Sequence, residues 1–71
     1  MFFRERLILL RKAHNITQRQ LATNIGMSER GIQNYELGRR RPTIDIAIAL
    51  ADYFDVSLDY LVGRSDDPTR R

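Results

Sequence analysis

The chain has 71 residues, no cysteine and a net charge of +3, and its length and lack of cysteine each exclude classes of protein. So short a chain forms one domain with a modest core, and without cysteine it has neither disulfides nor thiolate metal sites. No apolar run approaches the roughly 18 residues of a membrane helix. No small-residue cleavage site follows the N-terminal segment MFFRERLILLRK. We therefore expect a cytoplasmic protein of a bacterial or phage-infected cell, with no signal peptide and no membrane partner.

The charge is divided unevenly along the chain. Basic residues outnumber acidic ones nine to three in residues 1–42, whereas six Asp stand against three Arg in residues 43–71. Eleven of the twelve cations are arginine, which favours bidentate contact with phosphate or guanine. The basic part is therefore suited to a polyanion, and the acidic part should lie away from it.

Apolar spacing predicts five helices and no strand, which is an all-α fold. The first helix spans about residues 3–13, and Asn15 after it is expected in the left-handed region. The second begins after Thr17, which forms a T-x-x-Q capping box with Gln20. The predicted core stripe of the first helix is Phe3, Leu7, Leu10 and His14.

Three further helices follow in chain order. The third covers about residues 29–36, the fourth residues 44–54 after the cap Thr43, and the fifth residues 58–62 after the cap Ser57. The predicted core stripe of the fourth helix is Ile44, Ala47, Ile48, Ala51 and Phe54. Residues 1–63 should form the domain. Disorder is expected for the polar tail 64–71, which has nothing to bury.

Residues 18–37, QRQLATNIGMSERGIQNYEL, carry the most specific pattern in the chain. Leu21 and Ile25 share one stripe of a first helix, and Ile32 and Tyr35 share one stripe of a second. Gly26 lies between them, where a tight turn needs positive φ. The remaining matching positions are the small Ala22, Met27 in the turn and the N-cap Ser28. The pattern predicts a helix-turn-helix, and an ordinary helical hairpin with a glycine turn is the alternative.

The sequence resembles the Cro/C1-type (lambda-repressor-like, XRE-type) helix-turn-helix family of phage and bacterial repressors, over about residues 3–63. The segments that carry the resemblance are ERLILLRKAHNITQRQLA, IGMSERGIQNYELGRRRP and LADYFDVSLDYLVG. The resemblance implies a compact five-helix domain whose third helix enters the DNA major groove. It also implies a homodimer on a pseudo-palindromic operator and regulation of transcription, with repression favoured.

The third helix presents polar side chains away from its apolar stripe. At 100° per residue, Arg30, Gln33 and Asn34 point away from the core side, and Glu29 lies on the flank. The resemblance implies base contacts from Glu29, Arg30 and Asn34, with Ser28 close to phosphate or base. Gln33, on the same exposed face, is the fourth residue predicted to contact bases. Arginine suits guanine, asparagine suits adenine, and glutamate accepts from cytosine.

Other positions are candidates for backbone contact and for support of the third helix. Phosphate contacts are expected from Gln18 and Arg19 on the second helix and from Arg39, Arg40 and Arg41 after the third. The resemblance implies a partly buried salt bridge between Arg11 and Glu36. Gly31 departs from good helix propensity and should cost about 1 kcal/mol relative to alanine.

A second apolar face on the fourth helix suggests self-association. Ile46, Ala49 and Tyr53 lie opposite the predicted core stripe, and Leu58 and Leu61 on the fifth helix are expected to join them.

We expect no enzymatic activity, cofactor, metal or small-molecule ligand. The chain has no Ser, His and Asp set, no thiol and no Gly-rich phosphate loop. Its one histidine, His14, is predicted to pack or to interact with the helix dipole. An antitoxin, or another protein-interaction module with the same fold, remains the alternative function.

Overall fold

The computed structural model describes residues 2–70 and contains five α-helices in that range. Their bounds are α1 Phe3–Ala13, α2 Gln18–Ile25, α3 Glu29–Glu36, α4 Ile44–Phe54 and α5 Leu58–Leu61. No strand occurs among the described residues, so the predicted five-helix, all-α fold is confirmed. The fifth helix is one residue shorter than predicted, because Val62 is its C-cap.

Local side-chain chemistry sets the helix boundaries. The Thr17 hydroxyl accepts from the Gln20 N–H at 3.0 Å, and the Gln20 side chain accepts from the Thr17 N–H at 2.8 Å. This is the predicted capping box. The caps of α3, α4 and α5 are also the predicted ones, Ser28, Thr43 and Ser57.

Each helix contributes one side chain to the centre of the core. Leu7, Leu21, Ile32, Leu50 and Leu61 are completely buried. Burial of an aliphatic side chain of this size contributes about 1.5–3 kcal/mol. The packing around this centre fixes how α3 is presented to solvent.

The predicted core stripe of α4 is wrong at two positions. Ile44 and Ile48 are 63% and 45% exposed, whereas Leu50 is fully buried. Because nearly every residue from 44 to 51 is apolar, hydrophobic spacing alone could not fix the rotation of the helix. Asp45 and Asp52 are one heptad apart and both exposed, and Ile48 lies on the face between them.

Burial excludes one of the five predicted dimer residues, and the other four stay predictions. Leu61 has no exposed surface and cannot reach a partner. Ile46 and Tyr53 pack against the core, and the Tyr53 hydroxyl accepts from the Asn24 side chain at 2.9 Å. Ala49 and Leu58 are half-buried. The large apolar side chains that α4 exposes are Ile44 and Ile48.

Residues beyond α5 lie against the helices. The Ser57 backbone N–H donates to the Pro68 carbonyl at 3.0 Å, and Arg70 pairs with Asp52 at 2.6 Å. Disorder of residues 64–71 stays a prediction, and Arg71, like Met1, lies outside the described residues.

Arg6 is a buried cation that the sequence did not single out. Arg6 is 4% exposed, and its guanidinium carbon lies 3.8 Å from the Tyr60 ring centroid. The guanidinium group also pairs with Asp66 at 3.2 Å. Burial opposes the charged form, but the interactions with Tyr60 and Asp66 outweigh it, and the pKa of Arg6 is raised. Arg6 therefore joins α1, α5 and the segment that follows.

Candidate nucleic-acid interface

The second and third helices form a helix-turn-helix. Leu21 and Ala22 on α2 are buried together with Ile32 and Tyr35 on α3. Gly26 ends α2 in the left-handed region at φ +75°, as predicted. The Met27 N–H donates to the Ala22 carbonyl at 2.8 Å. The turn therefore provides a hydrogen-bond donor for a carbonyl at the end of α2 and sets the angle at which α3 begins.

The outer face of α3 carries the four predicted base-reading residues. Glu29, Arg30 and Gln33 are exposed, and Asn34 is half-buried. Within residues 2–70, none of these four side chains makes a hydrogen bond or ion pair with the protein. Their donors and acceptors are therefore available to an external partner.

A largely buried ion pair holds the far end of α3 against α1. Arg11 Nε lies 2.7 Å from one oxygen of Glu36, and a terminal nitrogen lies 3.0 Å from the other. The two side chains are 15% and 6% exposed. The hydrogen bonds that Arg11 donates to Glu36 are the main reason that the pKa of Arg11 is raised. The structure thus brings together the two residues that the resemblance pairs.

The Arg11–Glu36 pair extends to two further groups. Arg11 also donates to the Ile16 carbonyl at 3.0 Å, and the Gln18 side-chain amide donates to Glu36 at 3.1 Å. Gln18 is therefore connected to the ion pair. The second N–H of its side-chain amide is available to an external acceptor. Gln18 is also the first residue of α2, so its side chain lies beside the backbone amides of the helix N-terminus.

The predicted phosphate-contacting cations are exposed. Arg19 lies on α2, and residues 39–41 directly follow α3. Gly38, at φ +74°, turns the chain there, and the Arg39 N–H donates to the Asn34 carbonyl at 2.9 Å. The basic loop consequently begins beside Asn34, one of the four residues on the outer face of α3.

Ser28 and Gly31 have structural roles at the start of α3. The Ser28 hydroxyl accepts from the Gly31 N–H at 3.1 Å, so an external contact from Ser28 would use its own hydroxyl hydrogen. A Cβ at position 31 would lie 2.7 Å from the terminal methyl of Met27. The missing side chain at Gly31 therefore makes room for Met27 in the turn.

An open depression joins the base and phosphate candidates. It has a volume of about 640 Å³, and Lys12, Thr17, Gln18 and Glu29 are among its lining residues. Lys12 is an exposed cation here that sequence reasoning did not select, because its position on α1 gave no indication of proximity to α3.

A family model described as helix-turn-helix matches residues 7–61. Among curated proteins, the chain is 44% identical over 64 residues to YobD of Bacillus subtilis, an uncharacterized HTH-type transcriptional regulator, covering 90% of this chain and 57% of that protein. It is 42% identical, with the same coverage, to the cryptic phage CTXphi transcriptional repressor RstR of Vibrio cholerae. The chain thus spans little more than half the length of these relatives.

Two solved structures share the fold. The DNA-binding domain of the P22 C2 repressor superposes with a TM-score of 0.81 at 30% identity, covering 86% of this chain and 80% of that one. A transcriptional regulator from Listeria innocua gives the same TM-score at 38% identity, over 86% of this chain and 57% of that one. With the family match and the helix-turn-helix geometry, these similarities show that the chain belongs to the Cro/C1-type helix-turn-helix family.

Proposed function

We propose that this chain binds double-stranded DNA sequence-specifically, as a homodimer, and regulates transcription. The observation that carries the proposal is the outer face of α3, with four polar side chains that have no partner among residues 2–70. A supporting observation is that relatives of this chain are named as transcriptional regulators, one of them a repressor.

Base reading is assigned to the outer face of α3 in the major groove. Arg30 would donate two hydrogen bonds to guanine O6 and N7, and Asn34 would pair with adenine N6 and N7. Glu29 would accept from cytosine N4, and Gln33 lies one turn along the same face. The Arg11–Glu36 pair supports this role because it limits movement of α3 relative to α1.

Affinity is assigned to the cations and backbone amides beside that helix. Residues 39–41 and Arg19 would contact phosphates, together with Gln18 and the N-terminus of α2. Each phosphate contact releases counterions, so binding should weaken steeply as salt rises.

The homodimer is assigned to an apolar face that differs from the predicted one. Ile48 is exposed on α4, and it lines a shallow cavity together with Leu58. These two side chains are the proposed contact between protomers. A two-fold pair that binds an operator must place its two α3 helices on successive major-groove turns, about 34 Å apart.

Repression is the favoured sign of regulation. A domain that binds the major groove of a promoter acts most simply by blocking access to that promoter. The named repressor among the relatives supports that direction.

The test is selection of bound sites from a random duplex pool, followed by binding to the enriched duplex over a range of salt. We expect an inverted repeat, and a log–log salt slope of several units that reflects the phosphates contacted. A shuffled duplex of the same composition is the control. Equal affinity for the enriched and shuffled duplexes would contradict sequence-specific binding.

A further inference from the structure

A second concave surface lies between the start of α1, the loop after α3 and the helices α4 and α5. Its volume is about 830 Å³, within the range of ligand sites. Its apolar lining includes Phe2, Phe3, Tyr35, Pro42, Ile44 and Val62. Phe2 is 72% exposed and Ile44 is 63% exposed, so the apolar surface continues beyond the groove.

Four arginines surround this apolar groove. They are Arg4, Arg40, Arg41 and Arg64, and Asp59 is the one acidic residue in its lining. Among the described residues, none of these four guanidinium groups has an ion-pair partner, whereas Arg6 and Arg11 each have one and Arg70 has two.

Arg4 belongs to the groove by close packing as well as by charge. A Cβ at Gly38 would lie 2.7 Å from Arg4 Nη1 and 3.1 Å from its Cδ. The Arg4 side chain therefore lies across the turn that begins the basic loop. It brings a cation of α1 next to the loop that contains Arg40 and Arg41.

DNA contact accounts for only part of this arrangement. A phosphate backbone would use Arg40 and Arg41 but would gain nothing from Phe2 or Ile44. A ligand that satisfies the whole groove must carry several negative charges together with apolar side chains. It must also extend past the groove to cover Phe2 and Ile44, which a small anion would leave in water.

We propose that this groove binds an acidic, apolar peptide segment of a partner protein. Its Leu or Phe side chains would cover Phe2 and Ile44. Its carboxylates would pair with the four arginines of the groove, Arg4, Arg40, Arg41 and Arg64. Because Arg40 is shared with the DNA-contacting loop, the bound segment would displace DNA. That competition rests on the proposed function, whereas binding of the segment does not.

The experiment uses a fluorescein-labelled amphipathic peptide with Leu and Phe on one helical face and Glu on the other. Anisotropy without DNA should show saturable binding. Arg4→Glu should weaken it about tenfold, equivalent to about 1.4 kcal/mol. Lys12→Glu, the matched charge reversal on the same helix, should have less than about a twofold effect. Phe2→Ser should weaken binding more than Leu9→Ser, which changes another exposed residue of α1.

Two altered peptides and one competition complete the test. Replacing Glu by Lys, or Leu and Phe by Ser, should abolish binding. The original peptide should release a bound operator from the wild type but not from Arg4→Glu. Peptide binding in a protein that fails to bind DNA would support the groove and contradict only the proposed function.

Several results would overturn the proposal. One is an equal effect of Arg4→Glu and Lys12→Glu, which would indicate general charge attraction. Another is peptide binding that leaves the operator bound. A third is binding of octanoate but not of the peptide, which would make the groove a small-molecule site. A fourth is a protein that does not bind the peptide and whose self-association is weakened more by Phe2→Ser than by Leu9→Ser. That result would assign the groove to a second copy of the chain.

Discussion

Replacing Arg11 with methionine tests how much the ion pair between α1 and α3 contributes to the fold. The change leaves Glu36, whose side chain is 6% exposed, without its two contacts from Arg11 at 2.7 and 3.0 Å. It also removes the donor to the Ile16 carbonyl. Loss of one partner from a buried pair costs about 3–5 kcal/mol.

That cost is large for a domain of this size. At roughly 0.05–0.15 kcal/mol per residue, 71 residues correspond to a total stability of about 4–11 kcal/mol. The raised pKa of Arg11 means that its stabilising contribution is present below the ordinary arginine pKa and is lost only as the pH rises above it. Measurements at neutral pH therefore include the full effect.

Urea unfolding of three variants measures this cost. Arg11→Met should lower the midpoint strongly, and Arg11→Met with Glu36→Leu should recover much of the loss, because no charge is then left buried. Lys12→Met is the matched control, since Lys12 is an exposed neighbour with no ion pair among the described residues. Equal shifts for Arg11→Met and Lys12→Met would refute the reasoning.

Three further predictions concern the basic loop, the dimer face and the start of α3. Single Ala substitutions of residues 39–41 should weaken specific and random duplexes alike, and each lost phosphate contact should reduce the log–log salt slope by about 1; a triple variant with the wild-type slope contradicts this. Ile48→Asp should weaken self-association in sedimentation, whereas Leu9→Asp, at nearly the same exposure, should not; equal effects would exclude this face. Gly31→Ala should gain up to about 1 kcal/mol of helix propensity. The gain should be larger in a Met27→Val background, where the 2.7 Å contact is relieved, and equal gains in thermal melts would show that Met27 does not limit the site.

The sequence predicted the parts of the fold that depend on local chemistry. The capping box at Thr17 and the positive φ of Gly26 follow from interactions within a few residues. The outer face of α3 could be predicted because its polar and apolar sides differ sharply, with Ile32 and Tyr35 on one side and Arg30 on the other.

What the sequence missed depends on contacts between distant residues or on a uniform pattern. In α4 apolar residues occupy almost every position, so hydrophobic spacing predicts Ile48 in the core and leaves out Leu50. The structure shows the reverse. The exposed residues Asp45 and Asp52 indicate which side of α4 faces solvent, and they could have fixed its rotation. The burial of Arg6 could not be anticipated, because Asp66 pairs with it from 60 positions away.

The Arg11–Glu36 pair is an intermediate case. Its 25-residue separation gives no periodic signal, and it came from the family resemblance alone. The connection of Gln18 to this pair was not anticipated, because it depends on the side-chain geometry of three separate segments.

The most direct test of the central claim replaces single guanines of the selected operator with 7-deazaguanine, which lacks the major-groove N7 acceptor. If α3 reads bases as proposed, replacement at one guanine position of the half-site should weaken wild-type binding by about 1–3 kcal/mol, and the symmetric position of the other half-site should behave alike. The same replacement should have no effect on Arg30→Ala, because the contact is already absent. Asn34→Ala should remain sensitive to it. If no guanine is sensitive, or if wild type and Arg30→Ala lose equal affinity at every position, then Arg30 does not read guanine in the major groove.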